Sequence, residues 1–179
     1  NKSDYDNWEK IGCTGWSYKD VLPIFKSMEK DQTGGDPKYH STSGDWPVVR
    51  PQDVNKTAKR FIKAGRHIGL PQNSDFNDAS QLGLGIYKVN QDKGTRVNSY
   101  KAFIEPIVSR SKLTILTHAR VQSIEIEDEV AQSVTLKIDG VDKQLSCNKE
   151  VVLSAGAIES PRILLSSGIG NKKELEEAG

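Results

Sequence analysis

Residues that carry chemistry of their own are scarce in this sequence. Two cysteines, three histidines and one methionine stand among 179 residues. That rules out a disulfide scaffold or a cysteine-rich metal centre as the organising feature, and Cys13 and Cys147 read as ordinary thiols, with a bridge between them as the lesser alternative. His40, His67 and His118 show neither metal-ligand nor triad spacing. His67 falls on an amphipathic helix and His118 in a strand beside Ala119, both structural positions, so only His40, in a polar loop beside Tyr39, merits watching. Glu125 and Glu127 share one strand face as a solvated pair, too local for a glycosidase site. No G-x-G-x-x-G follows a strand, and Gly83-Leu84-Gly85 is too short to count. No run approaches the roughly 20 apolar residues of a membrane span. Lys plus Arg number 25 against 24 for Asp plus Glu, a net charge of +1, so no strong field points to nucleic acid or a membrane surface. The lysines read as scattered rather than striped along one helix. The sequence begins at Asn1, so the lack of a leader says little about targeting.

What is present is ordinary for a soluble α+β chain: 35% hydrophobic and 27% charged residues, enough for one domain with a real core or pieces of two. Ser17 can cap a helix from Tyr18 that puts Val21, Leu22, Phe25 and Met28 on one face, with Pro23 as a kink or the true start. Residues 31–53 are a long loop with a short strand at Trp46 to Val49. Ala58, Phe61, Ile62, Gly65 and Ile68 keep helical spacing until Gly69. Residues 70–98 return to loop, with a short strand at Ile86 to Val89. Ser99 opens a second helix that Pro106 breaks. From Leu113 the pattern is that of strands: LTILTHARV, then Ile124 and Ile126, then Val134, Leu136 and Ile138, with a turn at Asp139-Gly140, an antiparallel meander returning from Leu145 toward Val151. Asn1-Lys-Ser and Asn55-Lys-Thr are glycosylation sequons and tilt the localisation toward secretion.

The meander feeds VVLSAGAIESPRILLSSGIG, from Val151 to Gly170. Val151, Val152 and Leu153 read as a buried strand, and Ser154, Ala155 and Gly156 leave little side chain beside the backbone. Ser160 stands where an N-cap belongs and Pro161 at the first helical position. Ile163, Leu164 and Leu165 give a buried face, and Gly168 and Gly170 end the turn. Such a strand, turn and helix bring main chain against a ligand in many α/β enzymes. A closely packed corner without a ligand gives the same pattern.

Residues 156–170, GAIESPRILLSSGIG, resemble the second signature of the glucose-methanol-choline (GMC) family of FAD-dependent oxidoreductases. Further stretches match in the family's order: Asp4 to Glu29, YHSTSGDWPV as a lid-type loop, AGRHIGLPQNSDFND, and GTRVNSYKAFIEP. The style is most similar to animal, insect-type glucose dehydrogenase-like members. The resemblance implies FAD as cofactor, an alcohol or sugar as substrate, and a quinone or oxygen as electron acceptor. It places residues 1–92 in lid and substrate-domain segments and 93–179 in part of a FAD-binding domain, a mixed α+β and α/β architecture of meander plus strand-turn-helix. It also places the main chain of Val121 at the adenine and the Ser154-Ala155-Gly156 turn, with Ala157, Ser160 and Pro161, at the flavin nucleotide. Trp16 and Ser17 match a GWS segment, and Arg96 and Ser99 a G-x-R-x-S segment with an anchoring role.

Departures from the family pattern are Glu159, Asn98, Asp45 and Ser41, the last standing where the lid loop has glycine. No catalytic residue is assigned. The family's N-terminal dinucleotide motif and terminal His fall outside these residues, so the expectation is an internal piece, inactive alone, ending in the helix KKELEEAG. The competing expectations are a non-catalytic relative serving as a binding or structural protein, and a ligand-binding domain with accidental resemblance.

Overall fold

A computed structural model of the chain describes residues 1–178; Gly179, the last residue of the expected KKELEEAG helix, lies outside them. The chain divides into two compact units, Asn1–Leu113 and Thr114–Gly179.

The first unit opens with helices α1 (Lys2–Lys10) and α2 (Tyr18–Met28). No apolar period marks α1. Contacts with α2 hold it instead, Tyr5 against Phe25 with ring centroids 5.8 Å apart and the Tyr18 amide on the Asp6 carboxylate at 3.1 Å. Ser17 is the N-cap of α2 in extended conformation, but its hydroxyl turns to Asp20 rather than to a backbone amide. Pro23 lies inside the helix, so it marks neither a start nor a stop; it removes one backbone bond without ending the element. Of the face expected to be buried, Val21 is buried and Phe25 is 48% exposed.

Strand β1 (Glu29–Asp31) pairs in parallel with β2 (Trp46–Val48). Trp46 anchors the pair: its Nε1 donates to the Val97 carbonyl at 2.9 Å and its ring meets Phe103 edge-on. Helix α3 (Lys56–His67) is capped by Asn55, whose side chain accepts from the Thr57 amide at 2.7 Å. Gly69, at φ +85°, follows its end. Residues 86–89 do not make the expected strand; only Val89 pairs, with Val49. The regular strands come later, a hairpin of β3 (Gln91–Asp92) and β4 (Thr95–Arg96) turned by Lys93-Gly94, both at positive φ. The helix expected from Ser99 is a π-type turn at Tyr100–Ile104 followed by a 3₁₀ turn at Glu105–Ile107. Pro106 cannot supply the amide that an α-helix would need there.

The second unit is a three-stranded antiparallel sheet, β5 (Ala119–Glu127), β6 (Val130–Ile138) and β7 (Val141–Ser146), in that order. Each hairpin closes through two residues at positive φ, Asp128-Glu129 and Asp139-Gly140, the geometry that matches strand twist. His118 does not sit in a strand as expected. It precedes β5 as an exposed residue at φ +54°, and residues 113–118 are irregular.

Val151 to Leu153 also fail to form a strand: they pair with no strand among the described residues, and Val152 is 77% exposed. An apolar run needs a neighbouring strand to become one, and here none is supplied. Helix α4 (Gly156–Ser166) begins a turn earlier than expected, with Ala155 as N-cap and both Ser160 and Pro161 inside. The Ser160 hydroxyl accepts from the Ala155 amide at 3.0 Å, so it serves the helix start from within. The end of α4 matches the sequence reading: Gly168, at φ +77°, follows Ser167, and the Ile169 amide returns to the Leu164 carbonyl at 2.9 Å. Helix α5 (Lys172–Ala178) completes the described chain.

Among the described residues, the buried apolar side chains are Val21, Pro47, Ala102, Ile124, Leu136 and Ile163, while 22 large apolar residues are exposed. No described helix is long and apolar enough to cross a membrane.

Candidate functional site

In the first unit, the sequence of β1 and the loop after it builds a closed polar cluster around His40. Its Nδ1 lies 3.0 Å from both carboxylate oxygens of Glu29, and its Nε2 lies 3.1 Å from Asp75 Oδ2, in ionic contact but off the line of a hydrogen bond. Lys88 bridges Asp75 and Asp31. Asp31 also accepts from the Thr33 hydroxyl at 2.7 Å and the Gly35 amide at 2.7 Å. A side chain on Gly35 would place its Cβ 2.6 Å from the His40 ring, and one on Gly44 would place it 2.2 Å from the Met28 backbone, so both glycines are dictated by close approach. Ser41, the departure from the lid pattern, donates its amide to Glu29 at 3.1 Å.

Burial alone would raise the Asp31 carboxyl, but bonds from Thr33 and Gly35 and the charge of Lys88 outweigh it and hold the group below the ordinary aspartate value. Asp75 behaves likewise: burial opposes, while Lys88, the Asn77 amide and His40 prevail and lower it. With Nδ1 held by Glu29, Nε2 close to Asp75 without a hydrogen bond, and its side chain 3% exposed, His40 is closed off from a substrate in solution.

The second unit contains the residues singled out in the sequence. Gly156 takes φ +96°, a conformation that glycine alone adopts freely. A Cβ there would meet nothing within 4 Å. A closely packed corner therefore does not explain the small residues; Ser154, Ala155, Gly156 and Ala157 are all exposed. Beside them Val152 and Ile158 are 77% and 82% exposed. Ser160 is half-buried and spent on the Ala155 amide, and Pro161 is exposed on α4.

Val121 lies on β5, the edge strand, beside an irregularity between Val121 and Ser123. Its carbonyl accepts from Arg162 Nη2 at 2.7 Å, and Arg162 Nε donates to Glu159 at 2.6 Å. Sequence reasoning passed over Arg162, although its position three residues after Glu159 on one helix was a visible signal. Glu159, noted as a departure, aims that arginine at the sheet edge. Ser167 adds a second hook, accepting from the Ile124 amide at 2.8 Å and donating to the Ile163 carbonyl at 2.6 Å. The structure thus brings Val121 to α4 through Arg162 and leaves the 154–157 turn open beside the start of the same helix.

Comparison with known proteins is consistent with this picture. The model of the family described as GMC oxidoreductase matches residues 1–177. The alcohol dehydrogenase [acceptor] of Pseudomonas putida is 35% identical over 100% of this chain and 33% of its own length. An oxygen-dependent choline dehydrogenase of Chromohalobacter salexigens is 37% identical over 99% of this chain and 32% of its own. The crystal structure of pyridoxine 4-oxidase from Mesorbium loti superposes with a TM-score of 0.88 at 32% identity, covering 100% of this chain and 35% of that one. A FAD-dependent oxidoreductase from Chaetomium thermophilum also gives a TM-score of 0.88, at 26% identity. The chain spans about a third of the length of the curated relatives it matches. These comparisons indicate FAD as the cofactor, and the curated relatives named here are bacterial alcohol and choline dehydrogenases, so the expected likeness to animal glucose dehydrogenases in particular is not supported.

Proposed function

Because this chain belongs to the GMC oxidoreductase family, we propose that it is the central part of a FAD-dependent enzyme that oxidises the CH–OH group of an alcohol to a carbonyl. The observation that carries the reading is the family match over residues 1–177, within which the small-residue turn at Gly156, at φ +96°, leaves main chain open to a ligand. That opening suits a flat cofactor approaching main chain. In this reading the main chain of Ser154, Ala155, Gly156 and Ala157 borders the flavin nucleotide. Ser160 and Pro161 fix the first turns of α4, and the Val121 edge, steadied by Arg162, faces the adenine. A strand edge offers a donor and an acceptor to a base without requiring a particular side chain. FAD supplies a two-electron acceptor for the hydride of the alcohol.

No residue of this chain is given a proton-transfer role, and the proposed activity is that of the whole protein. An alcohol or choline fits the named relatives better than a sugar; a quinone or oxygen serves as electron acceptor, and secretion rests on the two sequons. The two departures have structural partners: the Ser41 amide donates to Glu29, and Glu159 accepts from Arg162.

The test is anaerobic titration of the full-length protein with choline, benzyl alcohol and glucose while the flavin absorbance is followed. Bleaching by choline or the simple alcohol is expected. Bound flavin that no alcohol bleaches would refute the enzyme reading, and a purified protein without flavin would refute the cofactor site.

A further inference from the structure

The expectation that basic residues are scattered fails at α3. Its twelve residues include Lys56, Lys59, Arg60, Lys63 and Arg66, five of the chain's 25 Lys and Arg, and no acidic residue. Lys59, Lys63 and Arg66 fall at helical spacings of four and three and share one face. They open, together with Arg50, onto one cavity of about 430 Å³ that no carboxylate lines. None of the four cations has an ion-pair partner among the described residues.

The walls are built, not draped. Gly65 seats α3 so closely that a Cβ would lie 2.0 Å from Leu84, and a Cβ on Gly85 would lie 1.8 Å from the Asn73 carbonyl oxygen. The Asn73 amide donates to the Leu84 carbonyl, and the Leu84 amide to the Pro71 carbonyl, each at 2.9 Å. The Asn73 side chain ties down the Ser80 carbonyl at 2.7 Å. On the far side, Val49 exchanges two backbone bonds with Val89 and so fixes the backbone next to Arg50.

Four unpaired cations around one concavity repel one another and concentrate positive potential there. Such an arrangement favours an anion over a cation there. Two guanidinium groups and two ammonium groups supply the donors that phosphate oxygens accept. Ile62 and Ile86 add an apolar patch to the lining. We propose that this cavity of the first unit binds a small polyanion of the phosphate class.

The experiment is calorimetric titration of the full-length holoenzyme, its flavin site filled, with inorganic pyrophosphate at constant ionic strength. Expected is one saturable site, weakened about tenfold or more by Lys59→Gln with Lys63→Gln. Arg66→Gln alone should weaken it less, and Lys112→Gln with Lys149→Gln, exposed lysines elsewhere, should leave it unchanged. All substituted side chains are exposed, so melting temperatures should stay close to the parent's. Absence of saturable binding would overturn the proposal, as would equal weakening in the control variant, which would mean diffuse charge. Capture by phosphatidylserine vesicles without pyrophosphate binding would overturn it in favour of a membrane surface.

Discussion

The His40 cluster and the Gly156 turn are opposite solutions to handling polar groups. Around His40, three carboxylates meet an imidazole and an ammonium, with two glycines dictated by how closely chain segments pack. At Gly156 the glycine is dictated by backbone conformation alone and nothing packs against it. Around His40 the neighbours all come from the chain itself, whereas at Gly156 the chain supplies none. The buried histidine is for this reason the weaker functional candidate, although histidine is the commoner catalytic residue.

The contrast can be broken first from the His40 side. Lys88→Met leaves Asp31 and Asp75 without their shared cation and should cost about 3–5 kcal/mol of stability, as loss of one partner does in buried ion pairs. Urea denaturation of the full-length protein would read this as a lower midpoint, and an unchanged midpoint would demote the cluster to decoration. Gly156→Ala should cost less, about 1–2 kcal/mol for a left-handed backbone carrying a side chain. Its larger mark should be on flavin content, measured from the absorbance ratio of the purified protein; full flavin would remove the turn from the cofactor site.

The smallest effect is with pH. Asp31 and Asp75 have lowered values in the fold, so the stability they contribute is fully present above their unfolded value of about 4 and is lost as pH falls through the lower folded values. Between pH 6 and pH 5 their contribution to the melting temperature should therefore be flat, with decline below pH 4. Glu29 and His40 face the same cluster and are part of what the measurement reports. Asp75→Asn should shallow the acid decline; an equally steep one would place the responsible groups elsewhere.

The sequence showed the meander, α3 and the end of α4 because each is written in local terms: alternation, helical period, a glycine after the last turn. It misplaced the start of α4 because Ser160-Pro161 imitates a cap, whereas the conformation of Gly156 sets the boundary one turn earlier. It expected strands at 86–89 and 151–153 that do not form, because strand formation depends on a partner that periodicity does not reveal. Chain segments far apart also hid the His40 cluster, in which Lys88 reaches Asp31 across 57 residues. At the candidate site the small residues and Val121 were legible through family resemblance, while the Arg162 grip on Val121 required knowing that α4 lies along the edge of β5.

The two tight hairpin turns of the second unit carry a consequence in time. Asp128-Glu129 and Asp139-Gly140 join strands through two residues each, so little loop entropy is lost when they close, and hairpins of this kind form in microseconds. The His40 cluster must instead bring Glu29, Asp31, His40, Asp75 and Lys88 together across long stretches of chain, a search that topology makes slow. The expected order in refolding is therefore the hairpins of the second unit before the His40 cluster, which stopped-flow signals from the two units would check.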